Sequence, residues 1–318
     1  MKHLQFTAKT VVAIFKEVKA WSLVLAVALI LSGGTAYGQG TTTKPMTGGQ
    51  KDLGEIGAKL SNPASDVWAL FTEFDLTFSD GDLNQGDAKV GGRMIFQPIL
   101  PFPLYGEGDD EWRFTTRPTI PVFFSTPVPK GFDRFNHLGG LGDTQFPMVV
   151  VPPKSITGNW AFGLGPTWLI PTATRDVLGR EQWGVGPAVF TGYSTKKWLA
   201  GGLLQYTRGI GGWNGGDKPD AEYGSLLYYL IFNLADAWQV GTSPTITWDG
   251  KATSGNKWNL PVGLFVSKTV EFGNTPVKLQ LGAEYSVVSQ DDFGQRFLIK
   301  LNVIPVIQGL VQKPIFGK

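Results

Sequence analysis

In PVKLQLGAEYSVV, residues 276 to 288, Lys278 and Glu284 share one parity. Val277, Leu279, Leu281, Ala283, Tyr285 and Val287 share the other. A strand shows successive side chains to opposite faces, so this segment is charged on one face and greasy on the other. EWRFTTRPTIPVFF (111–124) repeats the division: Arg113 and Arg117 oppose Trp112, Phe114, Ile120, Val122 and Phe124. Carried into neighbouring segments, the parity adds Glu73, Asp75, Arg93, Arg296 and Lys300 to the charged face. If the first and last segments adjoin, these nine residues line a lumen as one wall, six basic and three acidic. Such a wall sorts small or anionic solutes by their charge.

Bond-making chemistry finds less support. His137 is the sole histidine beyond residue 38, in FDRFNHLGGLGD (132–143). A hydrolase needs its base within reach of a nucleophile and oriented by a third group, and no spacing assigns His137 a serine. SDGDLNQGD (79–87) carries Asp80, Asp82 and Asp87 without the terminal glutamate of a calcium loop. GLGPT (163–167) lacks the Lys-Ser/Thr of a phosphate cradle. The absence of cysteine removes thiolate metal sites and disulfides. No catalytic residue, metal or cofactor is expected. Net charge is +2, and removing Lys2, Lys9, Lys16, Lys19 and Glu17 leaves 24 basic against 25 acidic residues. That balance offers nothing to nucleic acid.

The elements that must position the charged wall follow from the pattern along the chain. Residues 1–38 have the four lysines, the apolar run WSLVLAVALIL (21–31) and the small residues AYG (36–38), as a secretory signal peptide does. A membrane anchor is the alternative, although the run is short for a span. Residues 39–66 read as a flexible leader with a short helix near 52–63, where Leu53, Ile56 and Leu60 share a side. Period two then governs twelve segments: 68–78, 89–100, 111–124, 143–151, 158–170, 182–192, 197–208, 222–232, 237–248, 257–267, 276–288 and 293–304. Connections after the odd segments are mostly long, including 125–142 and 171–181, and those after even ones mostly short. Residues 67–305 are the barrel on this reading, and 306–318 a tail.

The apolar face must meet something. In GNWAFGLGPTWLIPTA (158–173) the large face carries Trp160, Phe162, Leu164, Trp168 and Ile170, and the small face Ala161, Gly163, Gly165 and Thr167. Indoles eight to ten residues apart on tilted strands span roughly 20–25 Å of height, the separation of aromatic girdles at two membrane interfaces. Trp160 with Trp168, and Trp238 with Trp248, fit that spacing; Trp112, Trp183, Trp198 and Trp258 open other segments. A secreted sandwich also alternates, but its outer face is charged, whereas here the polar face is rich in Gly, Ala, Thr and Ser. The expected fold is all-β: a closed antiparallel transmembrane β-barrel of about 12 strands with a short N-terminal helix. Its partners would be outer-membrane lipids, lipopolysaccharide and a small solute of unknown identity. Ala161, Gly163, Gly165, Gly184, Gly186, Ala188, Gly241 and Gly263 would leave room opposite the charged wall. Prolines inside the segments, as in QPILP (97–101) and RPTIP (117–121), suggest bulges near one rim.

The chain also resembles a family of Gram-negative outer-membrane proteins labelled "putative MetA-pathway of phenol degradation" or "transporter". The resemblance rests on QPILPF (97–102), DEWRFTTRPTIPV (110–122), GLGDTQF (140–146), WAFGLGPTWLIPTAT (160–174), LGREQWGVGPAV (178–189), SPTITWDGKATSGNKWNLPVG (243–263) and TPVKLQLGAEYSV (275–287), spanning about residues 53–303. It implies an exported barrel in the outer membrane and passage of aromatic or other solutes, and carries over no catalytic or ligand residues. LQYTRGIGG (204–212) lacks the family's Trp-Ser, and the chain ends in lysine instead of an aromatic. The expected function is passive or facilitated passage of small solutes. A structural or adhesin-like barrel with a filled lumen is the alternative, and a lipid-active barrel enzyme the third.

Overall fold

Hydrocarbon offers no hydrogen bonds, so strands within it must satisfy every backbone group among themselves. The computed structural model, which describes residues 50–63, 65–212 and 221–317, meets that demand with one closed antiparallel sheet. The expected signal peptide and residues 39–49 lie outside the described residues. The strands are β1 (Ala69–Asp80), β2 (Lys89–Tyr105), β3 (Trp112–Thr116), β4 (Ile120–Pro129), β5 (Phe135–Leu141), β6 (Thr144–Val151), β7 (Trp160–Ile170), β8 (Gln182–Ser194), β9 (Trp198–Gly212), β10 (Glu222–Asn233), β11 (Trp238–Thr242), β12 (Thr245–Asp249), β13 (Trp258–Phe272), β14 (Thr275–Val288) and β15 (Gly294–Pro305). β1 pairs with β2 on one side and β15 on the other, which closes the ring. β3 and β4 both pair with β2, β5 continues into β6, and β11 and β12 both pair with β10 and β13. Fifteen segments therefore make a twelve-strand barrel in which three strands are broken in two.

The expected connection 125–142 is mostly strand: β4 runs to Pro129, β5 begins at Phe135, and residues 130–134 make the turn. FNHLGGL, the sequence of β5, has no alternation of apolar residues, so period two could not find it.

Prolines mark two of the three breaks, the third falling at Gly142–Asp143, and they lie within the strands instead of at one rim. Pro118 separates β3 from β4, and Pro244 separates β11 from β12. Pro166 of β7 faces Pro187 of β8. The β6–β7 ladder skips from Pro147–Thr167 to Val150–Leu164, and the β8–β9 ladder from Val185–Arg208 to Ala188–Gln205. A residue without an N–H cannot hold a rung.

The two faces divide as the parity requires. Leu164, Leu204, Leu264 and Leu281 are exposed on the outside. Inward from the same strands, Thr167, Gln205, Phe265 and Gln280 are buried. Part of the interior is apolar, where Val149, Val151, Phe190, Leu199, Leu203, Tyr229, Ile231 and Phe265 pack together.

Helix α1 (Gln50–Leu60) lies inside the end of the barrel where β1 begins and β15 finishes. Its Ile56 and Leu60 pack with Ala69, Ile99 and Ile304, and Ala58 touches the apolar interior cluster. A Cβ on Gly57 would sit 2.4 Å from Thr269 Oγ1, so only glycine lets the helix approach β13 there. Lys59 Nζ, 3.1 Å from Asp66 Oδ2, ties the helix to the segment leading into β1. The tail folds back on the same end: Ile307 N–H donates to Trp68 O, and Ile315 and Phe316 N–H to the Pro103 and Leu104 carbonyls.

The lipid-facing register can be measured. Leu264→Arg, midway along β13, is expected to cost about 2–4 kcal/mol of folding free energy in bilayers, and Phe272→Arg, at the strand's end, about 0–1; urea unfolding in vesicles would read both. The helix tie has a pH signature. Burial alone would raise the Asp66 carboxyl, but Lys59, with Arg113 contributing, outweighs it and holds the group below the ordinary 3.8. A carboxyl with a lowered folded value stabilises above its unfolded value, and that stabilisation is lost as pH falls through the folded one. Acidification below pH 3.8 is therefore expected to lower the hydrogen-exchange protection of the α1 amides, measured against the intrinsic rate at each pH, with Asp66→Asn already less protected at neutral pH and showing a smaller acid effect.

Candidate functional site

Above α1 the barrel encloses a cavity of about 430 Å³, with Leu60, Ser61 and Pro63 as its floor. One wall is charged: Glu73, Arg93, Arg117, Lys278, Glu284 and Lys300 all line it. The facing wall supplies Leu203, Leu227, Tyr229 and Ile231, and Gln97, Gln145, Gln205, Ser225 and Thr245 fill in between. The chamber is thus amphipathic.

Strand register builds the charged wall. Asp75 lies opposite Arg93 on β2 and opposite Lys300 on β15, and Lys300 lies opposite Gly282 of β14. Closure places three charged side chains of three strands in one cross-strand row. Arg93 Nε donates to Asp75 Oδ2 at 2.7 Å, and Asp75 is fully buried behind it. Lys300 Nζ pairs with Glu284, stands 4.0 Å from Glu73 Oε2 and donates to the Ser243 carbonyl at 3.3 Å. Ser243 sits at the β11–β12 break, where its carbonyl is free of a strand partner.

Arg117 occupies the other break, between β3 and β4. There it turns inward, donating from Nη2 to Gln97 Oε1 at 2.7 Å with its guanidinium 4.4 Å from the centre of the Phe71 ring. Lys278 Nζ reaches down to the floor and donates to Ser61 Oγ, which also bonds Gln239 Oε1 at 3.1 Å.

Seven of the nine charged candidates thus come together. Arg113 and Arg296 do not line the cavity. Arg113 pairs with Glu111 (3.6 Å) near the termini end of β3. Arg296 falls in the bulge between the Phe78–Phe297 and Ser79–Gln295 pairs, which hands the inward position to Gln295. Parity reasoning assumes an unbroken strand, so it cannot foresee a bulge. It did reach Arg93, and continuing two and four residues along β2 would have found Ile95 and Gln97. The helix-borne floor and Ser243 carried no local signal.

The small-residue wall has a different cause from spare room. A Cβ on Gly165 would lie 1.9 Å from Met148 O, and one on Gly186 1.9 Å from Tyr206 O. These glycines admit neighbouring backbone at the ladder interruptions, while Phe190 and Val149 fill the space inward.

The tryptophans lie toward strand ends. Trp160, Trp198 and Trp238 start β7, β9 and β11 at the termini end, with Tyr193 between Trp160 (4.9 Å) and Trp198 (5.2 Å) and Lys268 over Trp238 at 4.9 Å. Trp112, also exposed, starts β3 at that end. At the far end Trp248 stands 6.1 Å from Trp258 and 6.4 Å from Tyr206. Trp168 and Trp183 lie toward the far ends of β7 and β8.

The structure also gives His137 a serine that spacing could not supply: Nδ1 is 2.9 Å from Ser125 Oγ. Among the described residues no ion pair joins that ring to a carboxylate, the group that orients the base in a hydrolase.

The Lys300–Glu284 pair is nearly solvent-free, with side-chain exposures of 7% and 6%. Removing one partner of a buried pair leaves the other charge stranded, at a cost of about 3 kcal/mol. Lys300→Met is expected to lower the urea midpoint more than Lys300→Met with Glu284→Gln, which removes both charges.

No family model matches the chain, and no curated protein matches it. Solved structures do. The COG4313 outer membrane channel from Pseudomonas putida F1 is similar at 13% identity, over 76% of this chain and 96% of that one, with a TM-score of 0.51. The P. putida toluene transporter TodX is similar at 12% identity, over 80% and 94%, with a TM-score of 0.41. The former likeness shows the fold. The chain is a closed twelve-strand barrel of the same fold as that channel.

Proposed function

We propose that this barrel passes small solutes across the outer membrane and that their route runs through the amphipathic cavity. The observation that carries the reading is the cavity itself: about 430 Å³ inside a closed barrel, lined by charged and amide side chains. A lumen meant only to be filled would not hold Arg93, Arg117, Lys278 and Lys300 around open volume, because buried cations are costly. Helix α1 floors the chamber through side-chain contacts and hydrogen bonds, outside the barrel's backbone ladder. Solutes fitting the two walls are small and carry both an apolar body and a polar end. Aromatic compounds satisfy that description, as the resemblance implied.

The helix floor and the apolar cluster also favour a second reading, a structural barrel closed at the termini end. The chemistry of the far rim, where Asp80, Asp82 and Asp87 gather in one turn, suits lipopolysaccharide phosphates bridged by divalent cations. On this reading the activity is passage and not catalysis, and His137→Ala is expected to leave phospholipid hydrolysis at background.

Planar-bilayer recordings on the purified protein separate the two main readings. Discrete conductance steps are expected, larger in a variant lacking residues 50–61. A folded barrel silent in both forms, and equally impermeable in liposome uptake, would establish the structural role instead.

A further inference from the structure

The cavity's charges do not cancel, and the excess identifies a ligand. Six charged side chains line it, and Asp75 stands directly behind Arg93. Together they are four cations and three carboxylates, an excess of one positive charge. The three carboxylates are engaged by Arg93 and Lys300. Arg117 and Lys278 have no carboxylate within ion-pair distance among the described residues. Lys278 is directed to the floor by Ser61. Arg117 faces the chamber with only a neutral amide partner, Gln97, and its buried Nε has no hydrogen-bond partner. A guanidinium presents a planar fork that fits a carboxylate with two parallel hydrogen bonds. Phe71 and Ile95 lie on the same wall, and Leu203, Leu227 and Tyr229 lie opposite.

We propose that the cavity holds a binding site for a small aromatic monocarboxylate, its carboxylate on Arg117 and its ring against the apolar lining. One negative charge neutralises the excess, whereas a second would meet Glu73 and Glu284 on the same wall. A cation of the same shape would add to the excess. The volume suits a single ring with a short substituent, since ligand cavities run from about 300 to 1,000 Å³. The inference deepens the passage reading by naming the solute class, but the binding it asserts is measurable whether or not solute crosses.

Isothermal titration of the detergent-solubilised full chain tests it with three probes of one shape: benzoate, benzyl alcohol and benzylammonium. Benzoate is expected to bind about tenfold or more tighter than either, the scale of one charge-assisted hydrogen bond. Arg117→Gln should bring benzoate to the level of benzyl alcohol. Arg117→Lys, which keeps the charge and loses the fork, should fall between, and Arg113→Gln, away from the cavity, should bind as the unaltered protein does. The proposal is overturned if benzoate fails to bind, if benzyl alcohol matches it, or if the preference survives Arg117→Gln. Should the Arg117 variants misfold, the three-probe ranking on the unaltered protein still decides. Benzoate binding without conductance would remove passage and keep the site; conductance without benzoate preference would do the reverse.

Discussion

Every other feature depends on β1 bonding to both β2 and β15. An open edge in hydrocarbon would leave a row of N–H and C=O groups unbonded, each at a cost of several kcal/mol. Closure removes the edge, and it also fixes chemistry. Glu73 and Asp75 come from the first strand, Lys300 from the last and Arg93 from the second. Only a ring brings Lys300 of the last strand into one row with Asp75 and Arg93 of the first hairpin. The charged wall is therefore a consequence of the membrane constraint and not of any local motif.

The same constraint explains where the sheet is allowed to break. Irregular backbone at membrane depth is tolerated when it faces protein or a polar cavity. The breaks at Arg117–Thr119 and at Ser243–Pro244 do so: Arg117, Thr119 and Ser243 all line the chamber. A released carbonyl at Ser243 finds Lys300, and a released side chain at Arg117 finds Gln97. The prolines that looked anomalous in the sequence are the agents of these breaks. Each removes one donor from the ladder at a level where the lumen can absorb the loss.

Much of this was legible in advance because the barrel's two faces differ so sharply. Twelve alternating segments matched twelve strands, and the indoles fell near strand ends as a girdle requires. What escaped was non-local or non-periodic. FNHLGGL became strand β5 through pairing with β4 alone. Arg296 lost its inward position to a one-residue bulge. Ser125 met His137 only because β4 and β5 are antiparallel neighbours. Helix α1 was recognisable as amphipathic from Leu53, Ile56 and Leu60, but nothing local says that its apolar side would meet a barrel interior.

That last contact accounts for a lumen that is half apolar, which a simple water channel would not need. A helix entering the barrel must bury Ile56, Ala58 and Leu60 against something. Ile56 and Leu60 meet Ala69, Ile99 and Ile304 on β1, β2 and β15, and Ala58 meets the cluster that β6, β8, β9, β10 and β13 build from Val151, Phe190, Leu199, Ile231 and Phe265. Above that contact, β14, β15, β1 and β2 turn charges inward, and Arg117 adds one more at the β3–β4 break. The helix contacts both regions, through Ala58 on one and through Ser61, just past its end, on Lys278 of the other. The position of the floor is thus set by apolar contacts to both regions and, on the charged side, by a hydrogen bond as well. The two walls that hold the helix continue upward as the two walls of the cavity, so the fold that seats the floor also gives the chamber its amphipathic character.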